Sequence, residues 1–181
     1  MSIITRSQLA TIAQNKAGYK GLRDVVNENR QFSRSSQTTS IFLSHAHTDK
    51  EMIEQAVTFF RTLGIAVYID WMDHTMPERP NGETASNIKS KIQLNDKFVL
   101  LATNAAVASK WCNWEVGIAD PYKSGSKKMA LFPLADNSGT WNGNEYLQIY
   151  PRIESSSYYA NSFSVIYPDG TSESIESWLR K

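Results

Sequence analysis

Ile41-Phe42-Leu43-Ser44-His45-Ala46-His47-Thr48-Asp49, at positions 41–49, sets the grammar of the chain: an apolar run, a short polar turn, then an amphipathic segment. In that segment Met52, Ile53, Ala56, Val57, Phe59, Phe60 and Leu63 recur at helical spacing. Thr48 and Glu51 read as its capping box, and Gly64 stands where a left-handed C-terminal cap belongs. A second apolar run follows at once, Ile65-Ala66-Val67-Tyr68-Ile69. Neither run alternates with polar residues, which suits strands buried on both faces of a parallel sheet.

The same pattern continues toward the C-terminus. Phe98-Val99-Leu100-Leu101-Ala102 and Met129-Ala130-Leu131-Phe132-Pro133-Leu134 give two more buried strands. A helix over 84–94 puts Ala85, Ile88 and Ile92 on one face, and another over 110–120 is expected to stop at Pro121. Strand and helix alternating in this order predict an α/β fold with an open, doubly wound parallel sheet. In such sheets ligands gather at the carboxyl ends of the strands, here the loops 44–48, 70–83 and 103–110.

Farther out the signals thin. Residues 7–34 suggest two short helices interrupted by Gly18 and Gly21, and the polar stretch 33–40 reads as a linker. The chain therefore divides into a helical N-terminal extension, 1–37, and one domain, 38–181. Tyr146-Leu147-Gln148-Ile149-Tyr150 is a candidate fifth strand. Residues 162–167 read as a strand, Pro168-Asp169-Gly170 as a tight turn, and 172–179 as a short helix with Ile175, Trp178 and Leu179 facing inward.

Composition narrows the function. The chain of 181 residues is 41% hydrophobic and 20% charged, with 19 basic and 18 acidic side chains. That is too apolar for disorder and too balanced for an electrostatic grip on nucleic acid. Cys112 is the single cysteine, the N-terminus lacks a signal-peptide pattern, and no apolar run is long enough to span a membrane. A cytoplasmic protein without a membrane partner is expected.

The three strand-end loops carry Ser44-His45-Ala46-His47-Thr48-Asp49, Asp70-Trp71-Met72-Asp73-His74, and Ser109-Lys110-Trp111-Cys112-Asn113-Trp114-Glu115. With the strands that precede them, and with Trp111-x-x-x-Glu115 above all, they resemble the TIR (Toll/interleukin-1 receptor) domain. The resemblance is to its bacterial, Thoeris-like anti-phage members in particular, and it covers about 39–120 and extends through Tyr150-Pro151-Arg152-Ile153 and Val165-Ile166-Tyr167-Pro168-Asp169-Gly170. It implies a flavodoxin-like sheet and cleavage of NAD, as substrate rather than cofactor, to ADP-ribose or a cyclic isomer. By resemblance Glu115 is the catalytic residue, and Phe42, Ser44, His45, Asp70, Trp71 and Trp111 line the nucleotide cleft. Residues 70–83 correspond to the mobile BB loop. Homotypic self-association and a separate effector that senses the product are also implied.

The chemistry supports one carboxylate. Nicotinamide departs from ribose as a neutral base, so no general acid is needed, unlike an ordinary glycoside. A glutamate beside the ribose would steady its oxocarbenium character. Trp111 and Glu115, at i and i+4, share one helical face.

Other readings stand beside these. Phe42 and Trp111 serve equally as core aromatics, Trp114 more so, and Ser44 and His45 could simply bond the turn backbone. His45-x-His47-x-Asp49 resembles part of a dinuclear metallohydrolase motif, but Lys50 replaces the next histidine, and no metal is expected. A phosphoacceptor receiver domain would need an acidic pair where Ser44-His45 stands. Cys112 has no evident histidine partner and reads as structural. The alternative that survives is a non-enzymatic TIR interaction module, because fold alone does not decide between catalyst and scaffold.

Overall fold

A computed structural model describes residues 2–18, 21–22, 24–25, 28, 38–70, 82–156 and 162–181. The sheet is built from β1 (Ile4–Thr5), β2 (Ser40–Ser44), β3 (Ala66–Tyr68), β4 (Lys97–Ala102), β5 (Met129–Ala135), β6 (Arg152–Ser155), β7 (Phe163–Ile166) and β8 (Ser172–Ser174). The helices whose bounds lie among the described residues are α1 (Arg6–Ala17), α2 (Lys50–Thr62), α3 (Gly82–Leu94), α4 (Asn104–Ala108), α5 (Lys110–Lys123) and α6 (Ile175–Arg180).

Strand order is β3-β2-β4-β5-β6-β7-β8, with β1 paired to the end of β5. The pairs from β3 through β6 are parallel, which is the expected flavodoxin-like arrangement, and β6-β7-β8 close it as an antiparallel meander. The two-residue period of the strands divides the core into two layers. Ile41, Leu43, Val99, Leu101 and Phe132 pack with α1, α2 and α6 on one face. Phe42, Phe98, Leu100 and Leu131 pack with α3 and α5 on the other. Each central strand is thus apolar on both sides, which is why its sequence does not alternate. In β7 only one face is covered, and Phe163 and Val165 are buried while Ser164 and Ile166 are half-exposed.

Several local expectations need correction. Thr48 does not cap α2: a 3-10 turn over His47–Asp49 moves the helix start to Lys50, and Asp49 occupies the cap position without a side-chain capping bond. Asp49 instead accepts a buried hydrogen bond from the Thr103 hydroxyl. At the other end Gly64 has φ +79° and Ile65 N–H reaches the Phe60 carbonyl at 3.2 Å, the left-handed cap the sequence suggested. Pro121 does not end α5, which runs on to Lys123. Proline removes one hydrogen bond near the end of a helix, and the Lys123 ammonium anchors that last turn on the Gln93 and Asn95 carbonyls at 3.2 and 2.5 Å.

The expected fifth strand at 146–150 is a 3-10 turn, Glu145–Ile149, and β6 follows it. Leu147 within it and Tyr150 just after it, three residues apart, are buried, while Ile149 is 63% exposed; an alternating strand would not bury that pair. At the N-terminus, β1 extends the sheet and α1 packs along α2 with Leu9 and Ala13 buried. A Thr5–Gln8 capping box starts α1 and Gly18, at φ +58°, ends it. The expected second N-terminal helix and the linker at 33–40 fall largely outside the described residues. No helix among the described residues is long and apolar enough to cross a membrane.

Candidate active site

Ser44 is the last residue of β2 and, two positions after Phe42, points to the α5 side of the sheet. There it meets Glu115, which α5 presents from its second turn. The Ser44 hydroxyl donates to Glu115 Oε2 at 2.5 Å, with both residues buried and Glu115 only 3% exposed. Burial pushes the Glu115 carboxyl up to about 8, and the nearby Asp70 charge pushes the same way. The Ser44 hydroxyl and the Trp111 indole favour the charged form and resist that rise. A carboxyl this deep, on a helix whose start is fixed by the Ser109 hydroxyl capping Cys112 N–H, is not a solvated surface acid.

His45 follows Ser44 and is also buried. Its Nδ1 lies 2.9 Å from the Leu43 carbonyl, a contact that places the proton on Nδ1 because a carbonyl only accepts. Its Nε2 lies 3.3 Å from Asp70 Oδ1 at the end of β3, without an aligned hydrogen-bond partner among the described residues. Desolvation lowers the His45 pKa, opposed by Asp70 and the Leu43 carbonyl. Glu115, Ser44, His45 and Asp70 thus come together at the carboxyl ends of β2 and β3, where an open parallel sheet binds ligands.

The remaining cleft candidates divide. Phe42 lies in the core, stacked between Tyr68 and Phe98 with ring centroids 5.4 and 5.7 Å away, so it supports the site from below and offers no open face to a heterocycle. Trp111 and Trp114 are both half-buried, with centroids 5.1 Å apart, so Trp114 is no more a core residue than Trp111. Trp71 and most of the loop 70–83 lie outside the described residues. Cys112 is buried and its thiol is pushed up to about 11, chiefly by desolvation, as suits a structural cysteine. Of the His45-His47-Asp49 run, His45 turns to Leu43 and Asp49 to Thr103, so the three do not converge.

Two features escaped the sequence reading. One is the approach of His45 Nε2 to Asp70 Oδ1 at 3.3 Å. The other is the Asp49–Thr103 bond, which ties the turn after β2 to the start of α4, where the Thr103 hydroxyl also caps Ala106 N–H at 3.0 Å. The signal for the second was a threonine ending the β4 run just before a helical segment, a position that favours a cap.

A parallel sheet of this order with a buried glutamate on α5, the second helix after β4, defines a class. The chain belongs to the TIR domain family, whose sequence profile matches residues 41–159. It is similar to a protein of Bacillus cereus (strain MSX-D12) named probable 3' cyclic ADP-D-ribose synthase ThsB', with 31% identity over 117 residues, 62% of this chain. The match spans 59% of that relative's length.

Proposed function

We propose that this TIR protein cleaves the nicotinamide–ribose bond of NAD, with Glu115 as the catalytic carboxylate, and that it closes the product into a cyclic ADP-ribose isomer or releases ADP-ribose. The observation that carries this reading is the buried Glu115 carboxyl held by Ser44 at the strand ends. The name of the Bacillus cereus relative favours the cyclic product.

At neutral pH burial, which pushes Glu115 up to about 8, favours its protonated form. A bound pyridinium would reverse that, because a cation a few ångströms away favours the carboxylate. The charged carboxylate then accepts hydrogen bonds from the ribose hydroxyls and steadies positive charge at the anomeric carbon as the glycosidic bond breaks and nicotinamide leaves with the bond electrons. Ser44 orients Glu115, and His45 and Asp70 supply the polar wall beside it. Either water or an internal nucleophile of the nucleotide attacks the freed carbon, and the Glu115 carboxylate, whose burial favours the protonated form once the pyridinium has gone, takes its proton. No metal or bound cofactor enters these steps.

The wider reading includes homotypic association and a separate effector that senses the product. Leu94, 78% exposed at the end of α3, Tyr122 on α5 and Ile149 supply apolar surface for such contacts. The test is incubation with NAD at low and high protein concentration, with chromatography and mass spectrometry of the products. Nicotinamide release with a cyclic or linear ADP-ribose supports the proposal; self-association without turnover at any concentration replaces it with the scaffold reading.

A further inference from the structure

We propose that the opposite end of the sheet carries a second site, one that takes a phosphate-bearing anion on the buried lysine Lys97. Lys97 opens β4, five residues before Ala102, so it stands about 16 Å along the strand from the end that faces the cleft. A cavity of about 260 Å³ lies here, lined by Lys97, Lys128, Arg180 and Lys181 together with Thr38, Thr39 and Asp96. Nineteen basic side chains almost balance eighteen acidic ones over the chain, so four cations around one cavity are a local concentration, not a reflection of overall charge.

The cations are poorly neutralised. Asp96, the acidic member of the lining, is turned to Ser40 and accepts from its N–H and hydroxyl at 2.8 and 3.1 Å. Lys181 pairs with Glu173 at 2.6 Å. Lys97, Lys128 and Arg180 have no carboxylate within ion-pair reach among the described residues. Lys97 is 1% exposed, and its ammonium sits 4.5 Å from the centre of the Trp178 ring. A ring face offsets only part of the cost of taking an ammonium out of water. Burial pushes Lys97 down to about 8; Lys128 and Lys181 add to the fall, and Asp96 and Glu173 resist it. An anion in the cavity would relieve this repulsion.

Phosphate fits the lining better than a carboxylate. It brings up to two charges and several acceptor oxygens to two ammonium groups, a guanidinium and two threonine hydroxyls, all of which can donate. The volume is just below the roughly 300–1,000 Å³ of sites that hold whole organic ligands, so it suits the charged group alone. An adjoining cavity of about 450 Å³ shares Thr38, Thr39 and Arg180, and Leu63, Ile65 and Leu179 give it an apolar wall. The pair accommodates either a free phosphate or the phosphate end of a small ester whose body lies against that wall.

Isothermal titration of the full chain with inorganic phosphate, pyrophosphate and phenyl phosphate, at fixed ionic strength in chloride near neutral pH, tests the site independently of any activity at Glu115. Saturable binding is expected, weakened roughly tenfold or more by Lys97→Met, less by Lys128→Ala, and not by Glu115→Gln. Tighter binding of phenyl phosphate than of phosphate would assign the adjoining cavity to an ester body, and equal binding would assign the site to the free anion. Between about pH 8 and 9 the titration should take up a proton, read from heats in buffers of different ionisation enthalpy, because the anion restores the Lys97 charge. That measurement uses the unaltered chain and holds even if Lys97→Met fails to fold. Absence of binding at about 10 mM anion, or binding equal in Lys97→Met and without proton uptake, overturns the proposal.

Discussion

Replacing Glu115 with glutamine keeps the side chain's shape and its reach toward Ser44 while removing the ability to ionise. Burial pushes the Glu115 carboxyl from its usual 4.5 up to about 8, so between those values the folded chain holds a proton the unfolded chain releases. Stability from this group is therefore complete below about pH 4.5 and is lost as pH rises toward 8. With ~1.4 kcal/mol per pH unit, the ionisable side chain costs under about 1 kcal/mol at pH 5, about 3 at pH 7 and about 5 at pH 9. Glutamine escapes that cost. Glu115→Gln should thus melt roughly 6–12 °C above wild type at pH 7, with the gap growing toward pH 9 and nearly closing at pH 5. Calorimetry across this range reads it directly. A gap that does not change with pH, or a variant less stable than wild type at pH 8, would refute the argument that Glu115 is a desolvated acid. A stabilising substitution that abolishes turnover is also what a strained functional site produces.

If the Glu115 carboxylate is the working form, kcat/KM for NAD should fall as pH drops below about 8, while the limb in kcat lies lower because bound pyridinium favours ionisation; initial rates across pH check both. Ser44→Ala removes the hydrogen bond that favours the charge and should move the kcat/KM limb upward by about one unit, whereas Asp70→Asn removes a repelling charge and should move it downward. Thr103→Val deletes both the α4 cap and the partner of Asp49 and should destabilise by about 1–3 kcal/mol in urea unfolding. Leu9→Ala should cost about 2–5 kcal/mol, because α1 shares the core of the sheet; a loss below about 0.5 kcal/mol would show that helix to be peripheral.

The central sheet was legible because parallel strands covered on both faces leave unbroken apolar runs, and β2 through β5 are such runs. Glu115 was legible as a candidate through its motif, and its hydrogen bond with Ser44 follows from strand alternation once α5 is known to cover the Phe42 face. Features set by tertiary contacts were not. Asp49 leaves its local cap to bond Thr103 on another strand end, which shifts the start of α2 away from the capping box that Thr48 and Glu51 spell out. Pro121 is tolerated because it removes one hydrogen bond near the end of α5, whose last turn Lys123 holds on carbonyls at the end of α3. Lys97 lies outside the apolar run that marked this strand, and it is buried with its ammonium over Trp178, a residue from the far end of the chain. The turn at Glu145–Ile149 was mistaken for a strand because its composition is β-like, although the three-residue spacing of Leu147 and Tyr150 spoke for a 3-10 turn.

The claim that Glu115 carries NAD cleavage is tested most directly by the rate of nicotinamide release from purified wild-type protein and from Glu115→Gln, measured side by side at saturating NAD and matched high protein concentration. Turnover by the wild type is expected, with a loss of ~10²-fold or more in a variant that remains folded. Turnover that survives in Glu115→Gln would contradict the claim.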